Sequence, residues 1–135
     1  MAESLQQLTA AAKNGDAEAL CALGLRYETG DGVEMDRSRA ASLYREAAEA
    51  GHAQSQCNLG HCYYRGIGVK ANGEKAVYWF QKAAKQGWAR AIGLLGLCYE
   101  KGFGVDQDQE EAAYYYRKAH EGGLCPGHLP PGAVL

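Results

Sequence analysis

The sequence predicts an all-α solenoid of stacked helical hairpins, and three observations carry that prediction. Leu23-Gly24…Tyr27…Gly30-Asp31-Gly32-Val33 returns as Leu59-Gly60…Tyr63…Gly66-Ile67-Gly68-Val69 and as Leu95-Gly96…Tyr99…Gly102-Phe103-Gly104-Val105, a period of 36 residues. A second pattern, Ala40…Tyr44…Ala47-Ala48…Gly51, returns at the same period as Ala76…Phe80…Ala83-Ala84…Gly87 and Ala112…Tyr116…Ala119…Gly123. Neither pattern carries an insertion. That is what results when one supersecondary unit is copied and each copy buries its apolar face against its neighbours.

The first element is a leading helix. Shifting the second pattern back by 36 residues lands on Ser4, Leu8, Ala11, Ala12 and Gly15, so residues 2–14 read as a second helix without a first. It covers the exposed side of the first repeat and turns polar Glu3, Gln6, Gln7 and Lys13 outward, as a solenoid cap does. Three repeats follow at 16–51, 52–87 and 88–123. In each, apolar spacings of three and four predict two helices. The first helices run near 16–29, 52–65 and 88–101, and the second near 37–50, 73–86 and 108–121.

The Gly-x-Gly-Val segments are the turns between them, with Val33, Val69 and Val105 turned inward. Gly51 and Gly87 close the second helices as C′ residues. Gly24, Gly60 and Gly96 lie inside the first helices, where glycine costs about 1 kcal/mol relative to alanine. Their recurrence implies that a facing helix backbone leaves no room for a side chain, with Tyr27, Tyr63 and Tyr99 as large fillers one turn later. Residues 1–123 thus form one repeat domain. Residues 124–135 hold all three prolines and form an irregular tail.

Composition narrows the function. Lys and Arg number 14 against 16 Asp and Glu, interspersed without basic runs, so the field that draws nucleic acid is absent and no nucleic-acid partner is expected. No charged n-region precedes an apolar h-region, and no stretch approaches the ~18 apolar residues of a membrane span. The expectation is a cytoplasmic protein with no membrane partner.

The repeated L-G-x-x-Y-x-x-G-x-G-V, followed by A-x-x-x-Y/F-x-x-A-A-x-x-G, resembles the Sel-one-like repeat, a relative of the tetratricopeptide repeat. The resemblance covers residues 1 to about 123 in three in-register copies. It implies a right-handed superhelix of αα-hairpins whose first helices line a concave face, and a role as an adaptor or scaffold. Some relatives carry a disulfide in each repeat. Here the second-helix ends read Ala47-Ala48-Glu49 and Ala83-Ala84-Lys85, with no cysteine to supply that bridge.

Cys21, Cys57, Cys62, Cys98 and Cys125 make an odd count. Cys21 pairs with Cys57, and Cys62 with Cys98, across the period. Stacked helices lie roughly 8–10 Å apart, however, and a disulfide needs Cα atoms within about 7 Å, so free packed thiols are expected. Cys57, His61 and Cys62 resemble metal ligands, but a closed zinc site needs four ligands at about 2.0–2.3 Å. Cys57 beside His61 lacks an orienting group and an oxyanion cluster. The Gly-x-Gly-Val turns match neither phosphate-binding fingerprint. The expectation is no enzyme activity, no metal and no cofactor.

The tetratricopeptide-like register puts Glu18, Cys21, Leu25 and Glu28, then Gln54, Cys57, His61 and Tyr64, then Arg90, Gly93, Leu97 and Glu100 on the concave face. Leu25, Glu28, Cys57, His61, Tyr64, Arg65, Leu97, Glu100 and Lys101 are the candidate partner-binding residues. His61 and Tyr64 offer apolar bodies with polar tips, and Arg65 and Lys101 can meet a carboxylate. Trp88, where other repeats have Asp16 and His52, reads as an aromatic at a solvent-facing turn. The function expected is protein or peptide binding on the concave face, by a monomer or weak homo-oligomer. The alternative is a terminal piece of a longer array or assembly, associating through its end face.

Overall fold

The computed structural model describes residues 4–121, which form seven α-helices and no strand. In chain order these are α1 (Leu5–Lys13), α2 (Ala17–Thr29), α3 (Arg37–Glu49), α4 (Ala53–Arg65), α5 (Gly73–Lys85), α6 (Ala89–Lys101) and α7 (Gln109–Ala119). Helices α2/α3, α4/α5 and α6/α7 are the three hairpins, and each packs on the next in an all-α solenoid with α1 against α2. The tail expected at 124–135, with Cys125, lies outside the described residues.

Local chemistry sets the helix ends. Asp36, Asn72 and Asp108, 36 residues apart, each start a second helix by accepting a backbone N–H within its first turn. Gly30, Gly66 and Gly102 end the first helices in the left-handed region, at φ of 74°, 71° and 71°, where a side chain would be strained. The backbone N–H groups of Asp36, Asn72 and Asp108 then donate to the carbonyls of Tyr27, Tyr63 and Tyr99 at 2.8–2.9 Å, closing each hairpin. At the second-helix ends, His52 N–H donates to the Ala47 carbonyl and Gly51 N–H to that of Ala48. Trp88 and Gly87 repeat this on Ala83 and Ala84, and Asp16 and Gly15 repeat it on Ala11 and Ala12. The leading helix therefore ends as a second helix ends. Ser4 and Gln7 start it with a reciprocal capping box.

The helix glycines have a different neighbour from the one the sequence suggested. A methyl carbon at Gly24 would lie 2.7 Å from the Tyr44 ring, at Gly60 2.7 Å from Phe80, and at Gly96 2.8 Å from Tyr116. What fills the space is chiefly the edge of the second-helix aromatic, with the carbonyls of Ala40, Ala76 and Ala112 at 3.1–3.3 Å. Tyr27 and Tyr99 are only half-buried, and Tyr27 lies under the Arg39 guanidinium. Val69 and Val105 pack against the core, and Val33 is half-buried.

Successive hairpins also interlock at their turns. A methyl carbon at Gly68 would collide with the Arg37 carbonyl, and one at Gly104 with the Gly73 carbonyl. Each turn thus sits on the start of the preceding second helix, which sets the spacing of the stack. At the opposite end, Gln86 Nε2 donates to the Gly51 carbonyl and to Gln56 Oε1, while Gln56 Nε2 donates to the Ala48 carbonyl. Buried Gln56 is satisfied by that network.

Candidate functional site

Helices α2, α4 and α6 carry all the candidate residues, because hairpin stacking holds these three first helices side by side. At the C-terminal end of each first helix one position recurs as Glu28, Tyr64 and Glu100, and the ring position on the partner helix recurs as Tyr44, Phe80 and Tyr116. The two vary together. The Tyr44 hydroxyl donates to Glu28 Oε1 at 2.7 Å, and the Tyr116 hydroxyl donates to Glu100 Oε1. In the middle hairpin the carboxylate position is Tyr64 and the ring position is Phe80, so no such pair forms. Instead Tyr64 packs on Phe80 at 6.5 Å between centroids and edge-on against Phe103 at 4.8 Å.

This exchange gives the middle of the face its character. His61 and Tyr64 are half-buried and stacked, with centroids 6.4 Å apart and planes inclined by 20°. Burial, then the charges of Arg90 and Arg65, lower the His61 pKa, with Glu28 pulling the other way. His61 is therefore neutral at pH 7. Arg65, Arg90, Glu100 and Lys101 are exposed and Leu97 is half-buried. Leu25 is exposed and lines a depression of about 270 Å³ between α2 and α4, with Asp16, Glu18, His52 and Gln54 on its rim.

Cys57 does not join this surface. It is fully buried, with the Trp88 side chain beside it, so a partner on the face cannot touch it. Trp88 itself is partly buried against the core rather than standing at a solvent-facing turn. It caps α6 without a side-chain hydrogen bond, whereas Asp16 and His52 cap α2 and α4 through theirs. Burial pushes the Cys57 and Cys98 thiols up to about 11 and Cys62 to about 12. A protonated, sealed thiol is a poor nucleophile, whatever its distance from His61.

Cys21, Cys57, Cys62 and Cys98 are free and buried. Among the described residues no group of three or more His, Cys, Asp or Glu is placed to hold a metal ion, and no helix is long and apolar enough to cross a membrane. Sequence reasoning does not single out Phe103, the variable residue of the third turn, where other turns have Asp31 and Ile67. Nor does it find a cavity of about 350 Å³ framed by α5, α6 and α7, with Gln81, Lys85, Ile92, Tyr114 and Lys118 on its walls. Tyr114 and Tyr115, adjacent in the chain, are that cavity's visible signature in the sequence.

Comparison with known proteins agrees with this geometry. A family model described as Sel1 repeat matches residues 17–52, 53–88 and 89–124. Among solved structures, the chain is 39% identical to a protective antigen present in uropathogenic Escherichia coli strains and displaying an SLR fold, with a TM-score of 0.86 over 89% of this chain and 26% of that one. It is 32% identical to a Sel1 repeat protein from Oxalobacter formigenes, with a TM-score of 0.79 over 90% of this chain and 49% of that one. The chain thus spans about a quarter and about half of these two proteins. Helicobacter pylori cysteine rich protein B, 21% identical with a TM-score of 0.68 over 87% of this chain and 90% of that one, shares the fold. No curated protein matches the chain.

Proposed function

Given that the chain belongs to the Sel1 repeat family, whose members generally mediate protein–protein interactions and are generally not catalysts, we propose that it is a non-enzymatic adaptor that binds a protein or peptide on the concave face of α2, α4 and α6. One observation carries the reading. The middle hairpin replaces the phenol–carboxylate pair of its neighbours with a half-buried His61–Tyr64 stack backed by Phe80 and Phe103. Aromatic groups with apolar bodies and polar tips, held on a rigid close-packed layer, are what binding hot spots are made of. Leu25, Glu28, Arg65, Leu97, Glu100 and Lys101 surround them on the same helices, and Cys57 supports the layer from beneath. Four free, buried thiols support a reducing, cytoplasmic setting.

Peptides selected from a displayed random library against the native protein test this. Binding should weaken at least tenfold in a His61→Ala, Tyr64→Ala double variant and stay unchanged in Tyr78→Ala, which alters an exposed side chain on α5. Equal affinity for the native protein and the double variant would remove the concave face from the proposal. A second reading, association through the end face, is favoured by Tyr116, which is 39% exposed where Tyr44 and Phe80 are sealed. Sedimentation velocity decides it: a Tyr116-dependent oligomer supports end-face association, and a monomer at all concentrations opposes it.

A further inference from the structure

The concave-face reading leaves the chemistry of the partner open, and charge along the face narrows it. Both carboxylates at the C-terminal ends of the first helices are engaged by the protein itself, Glu28 by the Tyr44 hydroxyl and Glu100 by that of Tyr116. Between them Tyr64 replaces the carboxylate. The cations of this stretch have no such engagement. Arg65 and Arg90 meet no carboxylate within ion-pair distance among the described residues, although both lie close enough to His61 to disfavour its protonation. Arg90 and Arg65 each act on the neutral His61 imidazole more strongly than Glu28, the carboxylate that opposes them, so the local field is positive on a chain of net charge −2. The α2 side differs, with Asp16 and Glu18 on the rim of its depression.

We propose that the α4/α6 half of the concave face takes an acidic peptide segment, its Glu or Asp carboxylates meeting Arg90 and Arg65 while intervening apolar side chains rest on the His61–Tyr64 stack and Leu97. Gln54, the α4 counterpart of Arg90, and Arg65 lie at opposite ends of α4, roughly 16 Å apart at the helical rise. Arg90 stands on α6, roughly 8–10 Å to the side of α4, and an extended chain advances roughly 3.3 Å per residue, so a segment of about six residues reaches both guanidiniums. Arg suits the task because its planar fork holds a carboxylate in two parallel hydrogen bonds. The acidic rim around Asp16 and Glu18 repels the same segment from the α2 side and so orients it.

The inference rests on the concave-face reading, and the test separates the two. Terminally blocked, fluorescein-labelled peptides of about seven residues alternating Glu–Leu, Gln–Leu and Lys–Leu are titrated by anisotropy, with a single-stranded oligothymidylate as a fourth probe. The expectation is that the Glu–Leu peptide binds at least tenfold tighter than the Gln–Leu peptide. It should weaken severalfold as salt rises from about 50 to about 300 mM. It should lose at least tenfold in an Arg65→Gln, Arg90→Gln double variant whose helical circular dichroism and melting are unchanged. Gln–Leu binding as tight as Glu–Leu, and lost in the His61→Ala, Tyr64→Ala variant, overturns the acidic class and leaves the concave face standing. Glu–Leu binding indifferent to the two arginines overturns the assignment to this half. Tighter binding of the oligothymidylate replaces the peptide with nucleic acid, and no binding by any probe counts against both readings.

Discussion

The second and third hairpins use one device in two settings. In each, an aromatic ring of the second helix lies across a glycine of the first, at the 2.7 Å and 2.8 Å approaches that leave no room for a side chain at Gly60 and Gly96 while the ring stays in place. Phe80 is 0% exposed and Tyr116 is 39% exposed. The difference comes from what stands beyond. The α6/α7 hairpin closes over Phe80, whereas among the described residues no further hairpin follows α7. Ala76 and Ala112, or Ala83 and Ala119, show the same gradient more weakly. The motif specifies a packed pair of helices, and only a neighbouring unit converts that pair into a sealed layer. The phenol itself does not follow exposure, since Tyr44 is sealed and Tyr116 open while each hydroxyl donates to a carboxylate on its own first helix.

The largest expected effect tests the shared device. Gly60→Leu places a branched side chain where a single methyl carbon already meets Phe80, so the cooperative thermal transition followed by circular dichroism should disappear. Gly96→Leu should melt early but still fold, since the exposed Tyr116 ring can swing aside. Native-like melting of Gly60→Leu would refute the packing account.

Deleting the rings sharpens the contrast next. Phe80→Ala should lose about 3–5 kcal/mol of urea stability, the range for removing a sealed aromatic, and Tyr116→Ala less than half of that. Equal losses would mean that the end face is covered in solution.

A smaller step removes only a hydroxyl. Tyr44→Phe leaves the partly buried Glu28 without its donor and should cost about 1–2 kcal/mol. At the exposed third hairpin, Tyr116→Phe should cost about 0.5 kcal/mol or less in the same denaturation measurement.

Alkaline pH gives the gentlest test. Burial raises the Cys62 pKa from 9.0 to about 12, with the Glu28 charge adding to it, and those of Cys57 and Cys98 to about 11. A raised folded-state value means that the stabilisation is whole below pH 9 and is lost as pH climbs towards 11–12. Urea midpoints should therefore begin to fall just above pH 9. Iodoacetamide at pH 8 should label these thiols only after denaturation, and prompt labelling of the native chain would contradict their burial.

Much of the fold is readable from the chain because its signals are local. Gly30, Gly66 and Gly102 must take positive φ, Asp36, Asn72 and Asp108 must cap, and the 36-residue period aligns them without a gap. Leu8 and Ala12 in α1 follow the same ruler. The candidate face was legible in part. The register places His61 and Tyr64 on adjacent turns of α4, and they stack. Cys57 obeys the same register yet is sealed, because Trp88 from the next repeat folds over it, and no property of α4 alone announces that. Phe103 escapes for a similar reason: its meeting with Tyr64 depends on where the third turn lands.

By itself, the sequence determined the unit, meaning two helices, their caps, the turn between them and the number of copies, since each rests on backbone preferences spanning a few residues. Tertiary structure alone decided which rings are sealed, which thiols are unreachable, that Glu28 and Glu100 are held by phenols sixteen residues away, and that Arg90 from the next repeat acts on His61. Those outcomes depend on what stands across the gap between helices, and burial and charge pairing are properties of that gap rather than of any residue in it.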